Sequence, residues 1–300
     1  MYDTSDPRAG LASASPASPV ATEFAGAEIG RFYEEPPQEN GPEGRTWYVR
    51  GQNFLVAYTL AEPGAALSRR GQPDEYVVLL PKPATPAEVA ASGQTESVPG
   101  YSLVVVPPGD SSVTLPSGGE VVRLFTTRSA DLAAKCSNAA SYAAPHPNIP
   151  PFEPWPMPPA GYRIRAYSLD VPPAPGRFGR IFRCTTFMVN LIDPQHGPRD
   201  VTKLSPHHHD DFEQCSLAVD GAFIHHLRWP WTVNMNTWRE DLHAFCGSPS
   251  VTVIPPPAIH TSRGVGEDVN QLIDIFCPPR RDFSEKPGWV LNADDYPMPR

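Results

Sequence analysis

Ser205-Pro206-His207-His208-His209-Asp210-Asp211-Phe212-Glu213-Gln214-Cys215-Ser216-Leu217-Ala218-Val219-Asp220-Gly221 is the stretch on which the fold turns. Seven of the nine histidines fall between His207 and His260, a crowding that packing alone does not explain. His207 and His209 are two apart, so on an extended strand their side chains share a face. Two imidazoles converging from one face begin a site for a first-row divalent metal. A further donor is within reach at Glu213 or Gln214. The apolar run that follows reads as a strand, and Gly221 permits a tight turn into the next run at 222–228.

Outward from this stretch the chain reads as short β runs with Gly, Pro and Asp between them. They lie at 47–50, 53–60, 75–80, 101–106 and 120–126, and again at 162–168, 180–191, 214–219, 222–228, 251–254 and 272–276. Proline accounts for 39 of 300 residues, against a usual ~5%. Each one removes a backbone donor and clashes with a preceding helical turn, so long helices are excluded. Short helices are expected at 85–91, opened by Thr85-Pro86 with Glu88 three residues after Thr85, and at 129–137. Residues 144–161 hold too many prolines for a ladder or a helix and read as an extended connector, ordered by packing of Phe152 and Trp155. The Ala, Ser and Pro of residues 1–22 read as a disordered tail. The expected organisation is therefore a first all-β unit at 23–143, the connector, and a second all-β unit at 162–300 with a C-terminal extension.

The spacing His207-x-His209, four residues, Gln214, six residues, Gly221 resembles the first motif of the cupin family, HxH-x(3,4)-E-x6-G. Pro255-Pro256-Pro257-Ala258-Ile259-His260 resembles the second, PxGxxH. The resemblance implies two jelly-roll barrels in one chain, a bicupin, with His207, His209, His260 and one of Gln214 or Glu213 as metal ligands in the second lumen. Counting back from Gly221 favours Gln214, whereas Glu213 fits the shorter spacing. Pro257 also replaces the motif glycine. A neutral amide leaves the site one negative charge poorer than a carboxylate, which loosens metal binding and leaves the ion more Lewis-acidic. The same motifs laid on the first half place Ser68 and Arg70 at the histidines, Glu75 at the acid and Ser112 at the last histidine. The first barrel is thus expected to hold no metal, with Arg70 and Glu75 forming an internal ion pair.

Three imidazoles and one oxygen donor leave open positions on one divalent ion per chain, with Fe(II) favoured and Mn, Ni or Zn possible. If the strand at 222–228 turns His226 and Arg228 inward, His226 is a candidate general base and Arg228 a bidentate grip for a carboxylate. Trp229, Trp231 and Trp238 are expected either to roof a pocket or to pack between the barrels, and His243 to lie in a surface loop. The resemblance then implies a metal-dependent enzyme, foremost a non-haem Fe(II) dioxygenase acting on a small carboxylated or hydroxylated molecule. The alternatives are a redox-neutral isomerase, lyase or decarboxylase, and a non-catalytic binding protein. A net charge of -9 without a basic stripe argues against nucleic acid. No apolar run approaches the ~20 residues that cross a bilayer. Five cysteines without a CxxC pair point to reduced thiols in a cytoplasmic protein. A monomer or a homodimer is expected.

Overall fold

Short runs rich in β-branched and aromatic residues pair, among the described residues, into four antiparallel sheets, two in each half. The computed structural model describes residues 23–299, so the tail expected at 1–22 lies outside the described residues. In the first half one sheet runs in the order Arg165–Ser168, Ser102–Val106, Tyr76–Leu80, Gly119–Thr126, Phe54–Ala61, Gly44–Arg50, Glu39–Gly41. Its partner runs Ala65–Gln72, Gly109–Leu115, Ala87–Ala91, Gln94–Val98. In the second half the larger sheet runs Glu28–Arg31, Ser250–Ile254, Gln214–Asp220, Val269–Phe276, Met188–Leu191, Arg180–Arg183. The smaller is Leu242–Gly247, Ala222–Arg228, Ile259–Gly264.

The two halves exchange edges, which corrects the expected unit boundaries. Glu28–Arg31 pairs with Ser250–Ile254 in the second half's sheet, and Arg165–Ser168 pairs with Ser102–Val106 in the first half's. Each exchanged strand covers an edge whose backbone groups would otherwise be left open to another chain. The two large sheets then pack face to face. Cys215, Leu217 and Val219 of one meet Val77, Leu79 and Val122 of the other in a single shared core. The opposite faces of these strands line the two lumens. The first lumen is filled by apolar side chains, including Tyr48, Leu55, Tyr76, Val89 and Phe125.

Every sequence-read β run is strand in part or whole, with 180–191 split into Arg180–Arg183 and Met188–Leu191 around a turn. The helix expected at 85–91 is corrected. Ala87–Ala91 is a strand paired on both sides, with Ala87, Val89 and Ala91 buried and Glu88 exposed. Ser92 and Gly93 both adopt positive φ, the geometry of a tight hairpin turn, so pairing overrides the helix propensity of Ala and Glu. The helix expected at 129–137 is confined to Ala130–Ala133. The connector is held as its aromatic residues imply. Trp155 donates its backbone N–H to Thr185 O (2.7 Å) and Phe152 packs on the shared core. All five cysteines are buried free thiols.

Two buried glutamates clamp the halves in equivalent places. Glu75 accepts hydrogen bonds from Thr185 N (3.1 Å), Thr185 Oγ1 (2.7 Å) and Tyr296 OH (3.0 Å), all in the second half. Glu213 accepts from Gln52 N (2.6 Å) and Tyr142 OH (3.0 Å) in the first. Each carboxylate caps the hairpin turn that starts the opposite large sheet. At Gly51 a Cβ would lie 2.5 Å from Glu213 Oε2, so the turn needs glycine there. The expected Arg70–Glu75 pair does not form, because Arg70 is exposed on its strand while Glu75 is fully buried. Burial pushes the Glu75 carboxyl up, and the Thr185 and Tyr296 donors oppose that. Replacing Glu75 with Gln puts an NH2 group against donors and is expected to cost roughly 1–3 kcal/mol. Urea denaturation checks this, and an unchanged midpoint contradicts the clamp.

Candidate metal centre

His207 and His260 face each other at a single antiparallel bridge. Their backbones exchange both hydrogen bonds, His207 N to His260 O (3.0 Å) and His260 N to His207 O (2.7 Å). His209 follows two residues on, and one ring nitrogen from each of the three histidines lies within 4.8 Å of the others. His209 and His260 are buried, His207 is half-buried, and His208 is exposed beside Asp210.

The tautomers are set by backbone carbonyls, which only accept. His207 Nδ1–H donates to Ser205 O and His260 Nδ1–H to Ala258 O, each at 2.9 Å, so both carry their lone pair on Nε2. Gln214 is oriented in the same way. Its Nε2 donates to Asp274 Oδ1 and Ser216 Oγ, both at 3.1 Å, and Ser216 Oγ donates to Asp274 Oδ1 (2.9 Å). The amide oxygen therefore faces the histidines, 3.0 Å from His209 Nε2 and 3.4 Å from His260 Nε2. The amide oxygen and the three imidazoles thus converge in a buried space, a nitrogen and oxygen donor set of the kind that holds a divalent cation. Burial above all, and then the positive charge of Arg280, hold His209 well below the usual imidazole range, in the neutral form that binds metal. The Arg280 guanidinium lies over the Phe283 ring at 3.8 Å, and His209 stacks on Phe212 at 4.4 Å.

Strand alternation separates Gln214 from Glu213. Gln214 enters the lumen with Ser216, while Glu213 turns to the other half and binds Gln52 and Tyr142 there. The register also locates the equivalent positions in the first barrel. Gln214 pairs with Ile254 and Tyr76 with Val106, and each partner is followed by a proline run, Pro255–Pro257 and Pro107–Pro108. Tyr76 therefore occupies the place of Gln214, and Glu75 the place of Glu213. The sequence count that put Glu75 at the ligand position is one residue out of phase. Tyr76 stacks on Phe125 at 4.7 Å and its hydroxyl meets Ser111 Oγ at 3.0 Å. Ser68 faces Ser112 across the strands as His207 faces His260, and both Ser68 and Arg70 are exposed.

His226 and Arg228 are not brought to the site. Lumen-facing residues are even-numbered on Gln214–Asp220 and odd-numbered on Ala222–Arg228, because the turn at Asp220-Gly221 and a register shift after Ala218 change the phase. Gly221 has φ +78 and a Cβ there would lie 2.4 Å from Asn270 Oδ1. Arg228 instead pairs with Asp241 at 2.6 Å on the exposed side. His226 Nδ1 lies 2.8 Å from His243 Nδ1 on the outer face, and His243 is part of the strand Leu242–Gly247, not of a loop. The inward residue is His225, 1% exposed, with Nδ1 2.8 Å from Ser262 Oγ. Trp231 and Trp238 neither roof the lumen nor join the barrels. Trp229 packs with Phe24, Leu227 and Ile254, and Trp231 is 76% exposed and stacked on Trp238.

A cavity of about 100 Å³ opens beside the histidines, lined among others by Gln214, Asp274, Ser262, Arg199 and Phe178. Among the described residues no helix is long and apolar enough to cross a membrane.

No family model matches the sequence, and no curated protein does. Solved structures do match. An oxalate decarboxylase of Lactobacillus farciminis in complex with formate is 14% identical, with a TM-score of 0.57 over 86% of this chain and 89% of that one. A mutant of the Bacillus subtilis oxalate decarboxylase is also 14% identical, with a TM-score of 0.56 over 86% and 80%. AerE from Microcystis aeruginosa is 9% identical, with a TM-score of 0.50 over 86% and 100%. At such identity the likeness establishes the fold, two cupin barrels in one chain.

Burial, followed by the charges of His260, His226 and Arg31, pushes the His225 imidazole down to about 3 from 6.5. Below pH 6.5 an unfolded chain takes up a proton that folded His225 refuses. Stability present at pH 7 is therefore lost as pH falls from 6.5 towards 3, by up to ~1.4 kcal/mol per pH unit. Urea midpoints at pH 7 and pH 5 should differ less for His225→Asn than for the unsubstituted chain. Equal slopes contradict the buried neutral imidazole.

Proposed function

We propose that this chain is a metal-dependent bicupin enzyme in which His207, His209, Gln214 and His260 hold one divalent ion, and that it cleaves a small carboxylate without net oxidation. The carrying observation is the convergence of His207, His209 and His260, one ring nitrogen of each within 4.8 Å of the others, with the Gln214 amide oxygen turned towards them. All four donors are neutral, so a bound ion keeps its full charge and attracts an anion. Fe(II), Mn(II), Ni(II) and Zn(II) all accept such nitrogen and oxygen donors. When bound, the ion supplies Lewis acidity and, for Fe(II) or Mn(II), access to one-electron chemistry.

The chain's own residues support the substrate class. The cavity holds about 100 Å³, less than the ~150 Å³ of an engineered cavity that takes up benzene. That favours an acid of a few carbons over an aromatic ring. Arg199 lines the cavity with a positive charge. The oxalate decarboxylases that share the fold are named for a two-carbon acid, which fits this volume. In a decarboxylation a C–C bond breaks, CO2 leaves and the remaining carbon takes a proton. Asp274, buried and beside Gln214, is a cavity-lining carboxyl group placed to deliver it. The second reading is an Fe(II) dioxygenase, favoured by the three-imidazole set, which leaves open positions on an ion.

Elemental analysis of the purified protein is expected to find one divalent metal per chain. His260→Ala should lose it, with affinity reduced at least ~100-fold. Glu213→Gln should keep it, because that carboxylate faces the other half. CO2 release from two- to four-carbon acids without stoichiometric O2 uptake supports decarboxylation. Matched O2 consumption supports the dioxygenase instead. Full metal occupancy in His260→Ala sinks the site as assigned.

A further inference from the structure

Ser262 and His225 are direct partners across Ile259–Gly264 and Ala222–Arg228. Ser262 lines the cavity together with His260, two residues before it on the same strand. His225 stands behind it, with Nδ1 2.8 Å from Ser262 Oγ. His225 is 1% exposed, and among the described residues its Nε2 meets no hydrogen-bond partner.

That orphan nitrogen decides the tautomer. If Nδ1 accepted the Ser262 proton, Nε2 would carry an N–H buried without an acceptor. Orphaned buried N–H groups are rare, whereas a spare lone pair is better tolerated. Burial keeps the ring uncharged, so the one ring proton sits on Nδ1 and is donated to Ser262 Oγ. The Ser262 oxygen then accepts from the side facing His225, and its own proton is turned away from that ring. Ser262 lines the cavity and His225 does not, so that proton is available to a molecule held there.

We infer that Ser262 is a hydrogen-bond donor to a carboxylate oxygen of the substrate and that His225 is the positioning residue that aims it. This rests on the reading of the cavity as a metal-dependent carboxylate site, and neither residue is a ligand in that reading. Of the two adjacent histidines on this strand, it gives the role in the lumen to His225, while His226 lies outside the barrel with His243.

The test uses formate as probe and the Zn(II)-loaded full chain, with metal content measured alongside calorimetric affinity. Ser262→Ala is expected to bind formate about tenfold more weakly, the loss of one hydrogen bond to a charged group, with zinc content unchanged. His225→Phe should show the same loss. His225→Asn, whose amide N–H replaces the Nδ1–H donor, should recover most of the affinity, which a merely space-filling role would not require. The double variant Ser262→Ala, His225→Phe should be no weaker than either single one, since both remove the same contact. Nitrogen-15 chemical shifts of the unsubstituted protein should show His225 protonated at Nδ1 from pH 5 to pH 8. Unchanged formate affinity in Ser262→Ala with zinc bound, or a His225 protonated at Nε2, overturns the inference. An unsubstituted chain that takes up no zinc overturns the metal reading instead, and the nitrogen shifts then still decide the orientation of the pair.

Discussion

A strand has two faces, and in each half of this chain one face of the large sheet is committed to the core that the halves share. Cys215, Leu217 and Val219 point into that core, as do Ile273 and Ile275 on the neighbouring strand. Period-two alternation then leaves Gln214, Ser216 and Asp274 no direction but the lumen. A shift of one residue would put polar groups into the shared core and hydrophobic ones among the histidines. The side chains available to a metal are thus selected by packing on the far side of the sheet.

The same constraint explains why two similar scaffolds have unlike interiors. In the first barrel Tyr76 stands where Gln214 stands in the second, and its ring stacks on Phe125. Aromatic and β-branched side chains close that lumen, and the positions of the histidine bridge hold Ser68 and Ser112. What both barrels keep is the glutamate one residue earlier. Glu75 and Glu213 each leave their own barrel to cap a turn of the other, and each accepts from a tyrosine, Tyr296 or Tyr142. The glutamate serves the union of the halves in both barrels, whereas the polar lumen belongs to the second alone. Glu213 also fixes the backbone next to Gln214, so the first barrel contributes to the site through its turn at Gly51 and Gln52.

Much of this was legible in the chain. The His207-x-His209 spacing, the distance to Gly221 and the approach to His260 through three prolines marked residues that do converge; the strand pattern predicted two all-β halves, and the resemblance to cupins implied the two barrels. Parity carries along a strand but not across a turn, so even-numbered Gln214 and Ser216 did not imply even-numbered His226 and Arg228, and His225 was passed over. Taking Glu75 as the acidic ligand position, with Ser68 and Arg70 counted back from it, is one residue out because Tyr76 is the lumen residue there. Short edge strands such as Glu28–Arg31 have too few residues to show a period, and only the partner sheet reveals them. Ala87–Ala91 carries good helix formers, yet its neighbours on both sides make it a strand.

The central claim is that three imidazoles and the Gln214 amide surround one ion. Extended X-ray absorption fine structure at the edge of the bound metal addresses it directly. The expected spectrum has a light-atom first shell of nitrogen and oxygen, with multiple scattering that requires three imidazole rings and loses one ring in His209→Ala. A shell containing sulfur, or scattering from fewer rings that His209→Ala leaves untouched, would place the metal elsewhere and contradict the account.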